Sequence, residues 1–469
     1  MHITCKLTIL FVIFNLSFKL CSADGLSVSQ PDSINLRISK INIYGNKKTK
    51  TRAIILLMGL DTGAVFDSVK LRESEKELEE TNLFSKVDVF TLKRQEGIEV
   101  FVIVEEKYYI SPSGGGMYYQ YKHNKNDLWL RLELGLANNN FRGMMENLYT
   151  SISVWDWRSL SLSWSKPLLT SDFFFTISSG LDYFPDEVRT VDHFVFSNRF
   201  RFGRKIKNRT KVSVGLNPTF RRDTYTIENI ILNGTVTDTV TTKKRLETNE
   251  LFSSIFWISD YRRPFFDPQS GWLGYAEIKS NHLHPDQFDP FIQLTTSFSY
   301  YHTGILPTHK LVSRFQSVLR NNDGGPFHSV ELGGNGSLRG YSSRVIGLGI
   351  KGNNSLSVSA EYRFPIFYMP AINLPVLSKY NKFFASITQR IDGALIFDYG
   401  RVSESTRGLL GISNGPVETG IGIGIGIRSM ILNLERSLAL DIIWGKDNST
   451  KILKFKKVPV LHTYIDLYF

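Results

Sequence analysis

Three textures of apolar and polar residues follow one another along the chain. Leu7 to Phe18 form a short, nearly unbroken apolar run. Residues 34–107 mix strand and helix periods. Leu36 to Tyr44 alternate with period two, and Gly45-Asn46 is a turn. Ile54, Leu57 and Met58 then share one face of a helix expected over Lys50 to Leu60, with Thr49 as its cap. After Gly63, Asp67 or Ser68 caps a second helix running through Leu78 to about Asn82. Lys86 to Leu92 and Ile98 to Glu105 alternate again around a Gln95-Glu96-Gly97 turn. The order is β-α-α-β-β.

From residue 114 onward, segments of 8–12 residues alternate in polarity between clusters of Gly, Asn, Asp, Pro or charge. Sixteen strands are predicted, starting near residues 115, 128, 147, 159, 172, 191, 209, 248, 271, 291, 309, 353, 389, 418, 436 and 461. A tilted strand needs about 9–11 residues to cross a bilayer's hydrocarbon layer. An even count with alternately short and long connections predicts a mainly β chain: a 16-stranded antiparallel transmembrane barrel behind one small α+β domain. With residue 115 at the inner side, the outward loops are 122–127, 156–159, 183–190, 221–247, 281–290, 321–352, 401–417 and 445–460. Trp155, Trp157, Trp164, Tyr261, Trp272, Tyr300 and Tyr301 recur near strand ends, as an aromatic girdle would.

Composition and charge narrow the class. Lys6 precedes the first apolar run and Cys21-Ser22-Ala23 follows it, so residues 1–23 are expected to be a secretory signal peptide. A lipoprotein reading through Cys21 has Leu20 against it. Residues 24–33 are a short linker, 34–110 the small domain and 111–469 the barrel. Both cysteines, Cys5 and Cys21, fall in the signal, so no disulfide or thiol chemistry is expected in the mature chain. The formal charge of +12 becomes +10 without Lys6 and Lys19. In a secreted chain that surplus fits anionic outer-membrane lipid and not nucleic acid. The nine His show no metal-ligand spacing, and no nucleophile motif is present. Gly347-x-Gly349-x-x-Gly352 lacks the strand-helix context of a dinucleotide site. No metal, cofactor or catalytic residue is expected.

Within residues 34–107, Ile41-x-Ile43-x-Gly45-Asn46, Thr49, Ile54, Gly63, Phe66, Leu83-Phe84-x-x-Val87-x-Val89 and Val100-x-x-Ile103-Val104-Glu105 together resemble a POTRA domain. Farther on, Gly333-Gly334-Asn335-Gly336-Ser337-Leu338-Arg339-Gly340-Tyr341 stands in the sixth outward loop. That is where barrels of the BamA/TamA-type assembly-factor superfamily carry an Arg-Gly-aromatic motif. Ser359-Ala360-Glu361-Tyr362-Arg363-Phe364-Pro365 and Gly393-Ala394-Leu395-Ile396-Phe397-Asp398-Tyr399-Gly400 resemble that superfamily's strands twelve and thirteen. Asp260-x-Arg262…Asp267-Pro268-x-x-Gly271 is similar to its turn between strands eight and nine.

The resemblance implies that the loop folds into the lumen and that Arg339 pairs with Glu361 and Asp398. A guanidinium inside a barrel needs such compensation, and its planar fork suits carboxylates. Gly334, Leu338, Gly340 and Tyr341 belong to the same loop. In Gly420-Ile421-Gly422-Ile423-Gly424-Ile425-Gly426-Ile427, period two puts every Ile on lipid and every Gly in the lumen, clearing space for an inserted loop. Ile465, Leu467 and Phe469 resemble a C-terminal recognition strand, with Thr463 on the same outward face. Gly114 to Gly116 either weaken the seam between first and last strands or hinge the two domains.

The function implied is outer-membrane protein assembly or polypeptide translocation. Clients are captured by strand addition at the POTRA edge and the barrel seam. Partners would be unfolded outer-membrane or secreted polypeptides, lipid, and accessory periplasmic proteins. One POTRA-like unit points to an accessory paralogue. The alternative is a passive channel or surface antigen without clients.

Overall fold

A computed structural model of the chain describes residues 36–121, 128–168, 172–186, 191–207, 209–233, 236–264, 267–283, 290–322, 328–334, 336–341, 350–373, 375–378, 387–412, 416–431, 436–446, 454–457 and 459–465. The expected signal and linker lie outside these residues.

The small domain is β1 (Ile38–Tyr44), α1 (Thr51–Met58), α2 (Ser68–Glu80), β2 (Phe84–Arg94) and β3 (Gly97–Glu106). β1 runs parallel to β3, and β3 pairs antiparallel with β2. The helices supply the crossover that parallel pairing requires. Asp67 caps α2, accepting from the amides of Val69 (2.8 Å) and Lys70 (3.3 Å). Leu71, Ser74 and Leu78 line its inner face at helical spacing, and Ala53, Ile54 and Met58 do so on α1. These pack on Val87, Val100, Val102 and Val104 of the sheet. Full burial of a side chain such as Ile54 or Leu78 stabilises by about 1.5–3 kcal/mol. The expected cap of α1 is corrected. Lys50 occupies the cap position without a side-chain bond, because the Thr49 hydroxyl is engaged elsewhere.

The barrel is a sheet of sixteen strands, each hydrogen-bonded antiparallel to its neighbour in the chain. The first is Ile110–Tyr121 and the sixteenth Val460–Ile465. These two ends of the sheet lie against each other. The wall alternates as lipid demands. Leu134 and Leu136, Ile152 and Val154, Leu160 and Leu162, and Ile423, Ile425 and Ile427 are exposed on the outside. Their immediate neighbours point inward. Trp257, Trp272 and Phe298 stack in series (centroids 6.3 and 5.8 Å) toward the end that bears the small domain. Among the described residues no helix is long and apolar enough to cross a membrane.

Most observed starts fall within two residues of those read from the pattern. The seventh and eighth strands are the main correction. Thr210–Asn233 and Val236–Asp260 form one continuous ladder, in which residues 221–233 and 236–247 pair where a loop was expected. A strand that runs past the lipid no longer needs an apolar outer face, so apolar alternation vanishes although the hydrogen-bond ladder continues. The first strand also begins at Ile110, ahead of the predicted residue 115. Gly114 to Gly116 lie inside it, beside a register irregularity between Pro112 and Gly115. The sixth loop contributes a two-stranded hairpin of its own, Val330–Leu332 with Ile350–Gly352. The segment expected as loop 401–417 contains a helical turn, Thr406–Leu409.

Candidate functional site

The descending limb of the sixth loop enters the lumen as a tongue. Its tip is tied by the Gly334 amide to the Tyr341 carbonyl (3.1 Å) and by Ser337 to both backbone groups of Gly333. Gly340 has φ +86°, and a Cβ there would sit 2.8 Å from the Gly445 amide nitrogen. Only glycine tolerates both conditions. Leu338 and Tyr341 are buried with Leu332, Ile350 and Val402 in an apolar cluster within the barrel.

Arg339 is 1% exposed. Its Nε and Nη2 donate to the two oxygens of Asp398, each at 2.8 Å, and its own amide adds a third bond to Asp398 at 3.0 Å. Its Nη1 donates to Glu361 and, at 3.1 Å, to Asp441. Glu361 lies on the twelfth strand, Asn354–Ile372, and Asp398 on the thirteenth, Ile387–Ser403. The structure thus brings together the guanidinium and the two carboxylates singled out in the sequence.

The sequence reading missed the rest of the cluster. Asp441, on the fifteenth strand (Arg436–Gly445), also binds Arg428 of the fourteenth, Val417–Ile431. Arg428 reaches Glu361 at 3.0 Å, and Arg363 donates to Glu361 at 2.7 Å. Three guanidinium groups therefore meet three carboxylates, and none of the six residues is more than 3% exposed. Equal numbers of opposite charges and dense hydrogen bonding make such burial tolerable. One signal was available: lumen parity within Leu438-Ala439-Leu440-Asp441, where a lone acid interrupts an apolar strand. Beyond this cluster, the Gly340 amide approaches His462 Nε2 of the last strand at 3.4 Å. The Tyr341 hydroxyl donates to the Lys446 carbonyl and accepts from the Ile421 amide. The tongue thereby touches every strand from the twelfth to the sixteenth.

The glycine wall divides in two. A Cβ at Gly420 would collide with Leu338 and Tyr341, and one at Gly422 with the Arg339 carbonyl. Gly424 and Gly426 instead make room for Ile443 and Asp441, their neighbours on the fifteenth strand. Gly400 and Gly445, not singled out beforehand, also receive the tongue, against Leu338 and Gly340. Ile465 pairs in register with outward-facing Leu438, and Thr463 with outward-facing Leu440. Leu467 and Phe469 lie outside the described residues.

Two further contacts order the end of the barrel near the small domain. In the turn after the eighth strand, Asp267 binds Lys310 of the eleventh strand and Arg390 of the thirteenth (2.6 Å). This turn bridges several strands instead of merely reversing the chain. At the junction, Asn140 donates to the Thr49 hydroxyl (2.8 Å), which contacts the Tyr109 hydroxyl at 3.2 Å. The Lys50 amide donates to the Gly143 carbonyl, and Met145 of the first barrel turn completes the small domain's core. Burial opposes ionisation of Glu106. Bonds from the Thr49 and Lys48 amides and the Tyr109 and Thr49 hydroxyls outweigh it and hold the carboxyl below its usual range.

Comparison with known proteins agrees with this architecture. Residues 140–456 match the model of the Omp85 superfamily domain. Residues 36–107 match a POTRA model described as a surface antigen variable number repeat. The outer membrane protein assembly factor BamA of Nitratidesulfovibrio vulgaris is 24% identical over 349 residues, 69% of this chain. The match covers 41% of that relative's length, so this chain corresponds to less than half of it. In fold alone, the chain is similar to BamA from Haemophilus ducreyi lacking POTRA domains 1–3 (TM-score 0.57, 15% identity, 92% of this chain and 84% of that one). It is likewise similar to CdiB from Acinetobacter baumannii (TM-score 0.56, 14% identity, 92% and 73%). A sixteen-stranded barrel of this family stands in the outer membrane, with its POTRA domain in the periplasm. The chain belongs to the Omp85 superfamily.

Proposed function

We propose that this protein assembles or translocates polypeptides at the outer membrane by adding client strands to its own sheets. The observation that carries the reading is the edge of β2 in a small domain docked on the barrel. Among the described residues, β2 pairs with β3 on one side only. An edge strand offers unpaired amides and carbonyls to any extended chain, largely regardless of sequence. One amide on β2, that of Val89, is held by Glu75 at 3.2 Å, so an incoming strand would displace that carboxylate.

In the same reading, the tongue fixes the C-terminal strands that flank the seam between the first and last strands. Arg339, Glu361 and Asp398 position this wall, Gly334, Leu338, Gly340 and Tyr341 shape the tongue, and Gly420 and Gly422 admit it. Ile465, Leu467 and Phe469 would serve, as the sequence pattern suggests, as the C-terminal signal by which the barrel is recognised for folding. The clients would be unfolded outer-membrane or secreted polypeptides, with lipid around the wall and accessory proteins in the periplasm. No catalytic group, metal or cofactor is needed, since hydrogen-bond exchange supplies the driving force.

The test is depletion of the protein followed by quantitative proteomics of the outer membrane, with rescue by wild type and by Arg339→Ala. Loss of a subset of barrel or secreted proteins, restored only by wild type, is expected. Unchanged outer-membrane composition, with pore conductance that survives deletion of residues 34–107, would mark a passive channel instead.

A further inference from the structure

The docked POTRA domain leaves a cavity of ≈ 660 Å³ between its two helices and the lumenal wall of the second to eighth strands. That is the size of a pocket for a drug-sized molecule, so it admits a short stretch of chain and not a folded domain. Three buried polar atoms in its lining have no partner among the described residues: the Ser213 hydroxyl, Nε of Arg201 and one carboxylate oxygen of Glu80. Ser213 is 2% exposed. Folded proteins rarely leave such atoms unsatisfied, so water or a ligand completes them, while Arg201 and Glu80 already pair through their other atoms with Glu277 (2.9 Å) and Arg209 (3.8 Å).

The three differ in a useful way. Arg201 offers a donor, Glu80 an acceptor and Ser213 either. An extended polypeptide carries one N–H and one C=O per residue and complements such a set. Leu57, Met58, Phe174 and Phe256 supply apolar lining. Acids stand mainly on the helix side (Glu73, Glu77) and bases on the barrel side (Lys205, Lys211). A ligand of one charge sign would meet repulsion on one wall, whereas an amphipathic segment with mixed charge meets none. Burial here pushes the Glu77 carboxyl above its usual range, with Lys205 opposing.

We propose that this cavity binds a short extended segment of an incoming amphipathic polypeptide, as a way station between the POTRA edge and the lumen. The inference rests on the polypeptide-handling reading and adds a second, separate site to it. Backbone groups of the segment bond to Ser213, Arg201 and Glu80, while its apolar side chains lie on Phe174 and Leu57.

The test uses the full chain in lipid nanodiscs and a fluorescent synthetic peptide copying residues 128–136, Leu-Trp-Leu-Arg-Leu-Glu-Leu-Gly-Leu. Binding is followed by anisotropy, and folding of every variant by heat-modifiable migration. Thr176→Trp fills the cavity and should abolish the component of binding that survives Val89→Pro, which blocks the β2 edge. Ser213→Ala, a milder change, should weaken that component by about tenfold. If all binding disappears with Val89→Pro and neither cavity variant alters it, the way station is wrong and strand capture at the edge stands. If wild type binds no peptide at all, the inference and the reading beneath it both fail.

Discussion

The two halves of the barrel are built on the same alternation but filled in opposite ways. From the twelfth strand to the sixteenth, the interior holds the tongue, three guanidinium groups and three carboxylates. From the third strand to the eighth, hydroxyl pairs recur along the wall beside separate ion pairs such as Arg201–Glu277 and Arg221–Asp223, and no tongue enters among the described residues. Ser151 meets Ser161 at 2.6 Å, Ser163 meets Ser178 at 2.9 Å, Thr176 meets Ser165 at 3.0 Å and Thr210 meets Ser259 at 2.7 Å. Short neutral hydroxyls satisfy one another across adjacent strands and need no partner from across the lumen. Long charged side chains must find partners across it, and so cross-link strands that are not neighbours. Period two thus decides only which side chains enter the lumen; their length and charge decide whether the lumen is filled.

The largest expected effect lies in the filled half. Arg339→Ala or Asp398→Asn strands opposite charges in a water-poor cluster and should cost about 3–5 kcal/mol. The urea midpoint of the reconstituted barrel would show it, and an unshifted midpoint would remove the claim that this half is held by its charges.

A smaller effect separates the walls. Gly422→Ala drives a Cβ into the Arg339 carbonyl and should cost about 1–3 kcal/mol. Gly180→Ala, in the hydroxyl-paired half, meets only the Ser197 hydroxyl at 3.4 Å and should be neutral or stabilising by up to about 1 kcal/mol. Equal behaviour of the two variants in the same melt would erase the contrast.

Ser163→Ala removes one neutral hydroxyl pair, for no more than about 1 kcal/mol. A loss as large as that of Arg339→Ala would show that the hydroxyl-paired half is dry as well.

The mildest test concerns the junction, which ties POTRA to the first barrel turn. Glu106 is held below its usual range by the Thr49 and Lys48 amides and the Thr49 and Tyr109 hydroxyls, so above the ordinary carboxylate pKa it steadies the Thr49 turn on which the bond to Asn140 depends. That contribution fades as pH falls through the depressed value. Limited proteolysis between the domains should quicken at acid pH in wild type, and Glu106→Gln should show the fast rate already at neutral pH. A wild-type rate independent of pH would place the docking energy in Met145 and its apolar neighbours instead.

Much of the scaffold was legible in the chain because its causes are local. Lipid outside and a filled or wet interior force alternation at each strand, so nearly all starts could be read. The Ile-Gly repeat declared its two faces without any partner. Where lipid ends, the same signal fails, which is why the outer parts of the seventh and eighth strands read as loop. The tongue was legible only through resemblance: nothing local to residues 333–341 says that they turn inward.

What the sequence determined alone was the wall: strand number, order, facing and the presence of a compact β-α-α-β-β domain before it. Only the tertiary structure decided which charges meet. Asp441 lies 102 residues from Arg339 and His462 lies 122 from Gly340, yet barrel closure sets them side by side. The cavity beneath POTRA has the same origin, since Glu80 and Ser213 share no segment and meet only once the domain docks. Alternation is a property of neighbouring residues, whereas compensation of a buried charge depends on distances that exist only after the sheet has closed.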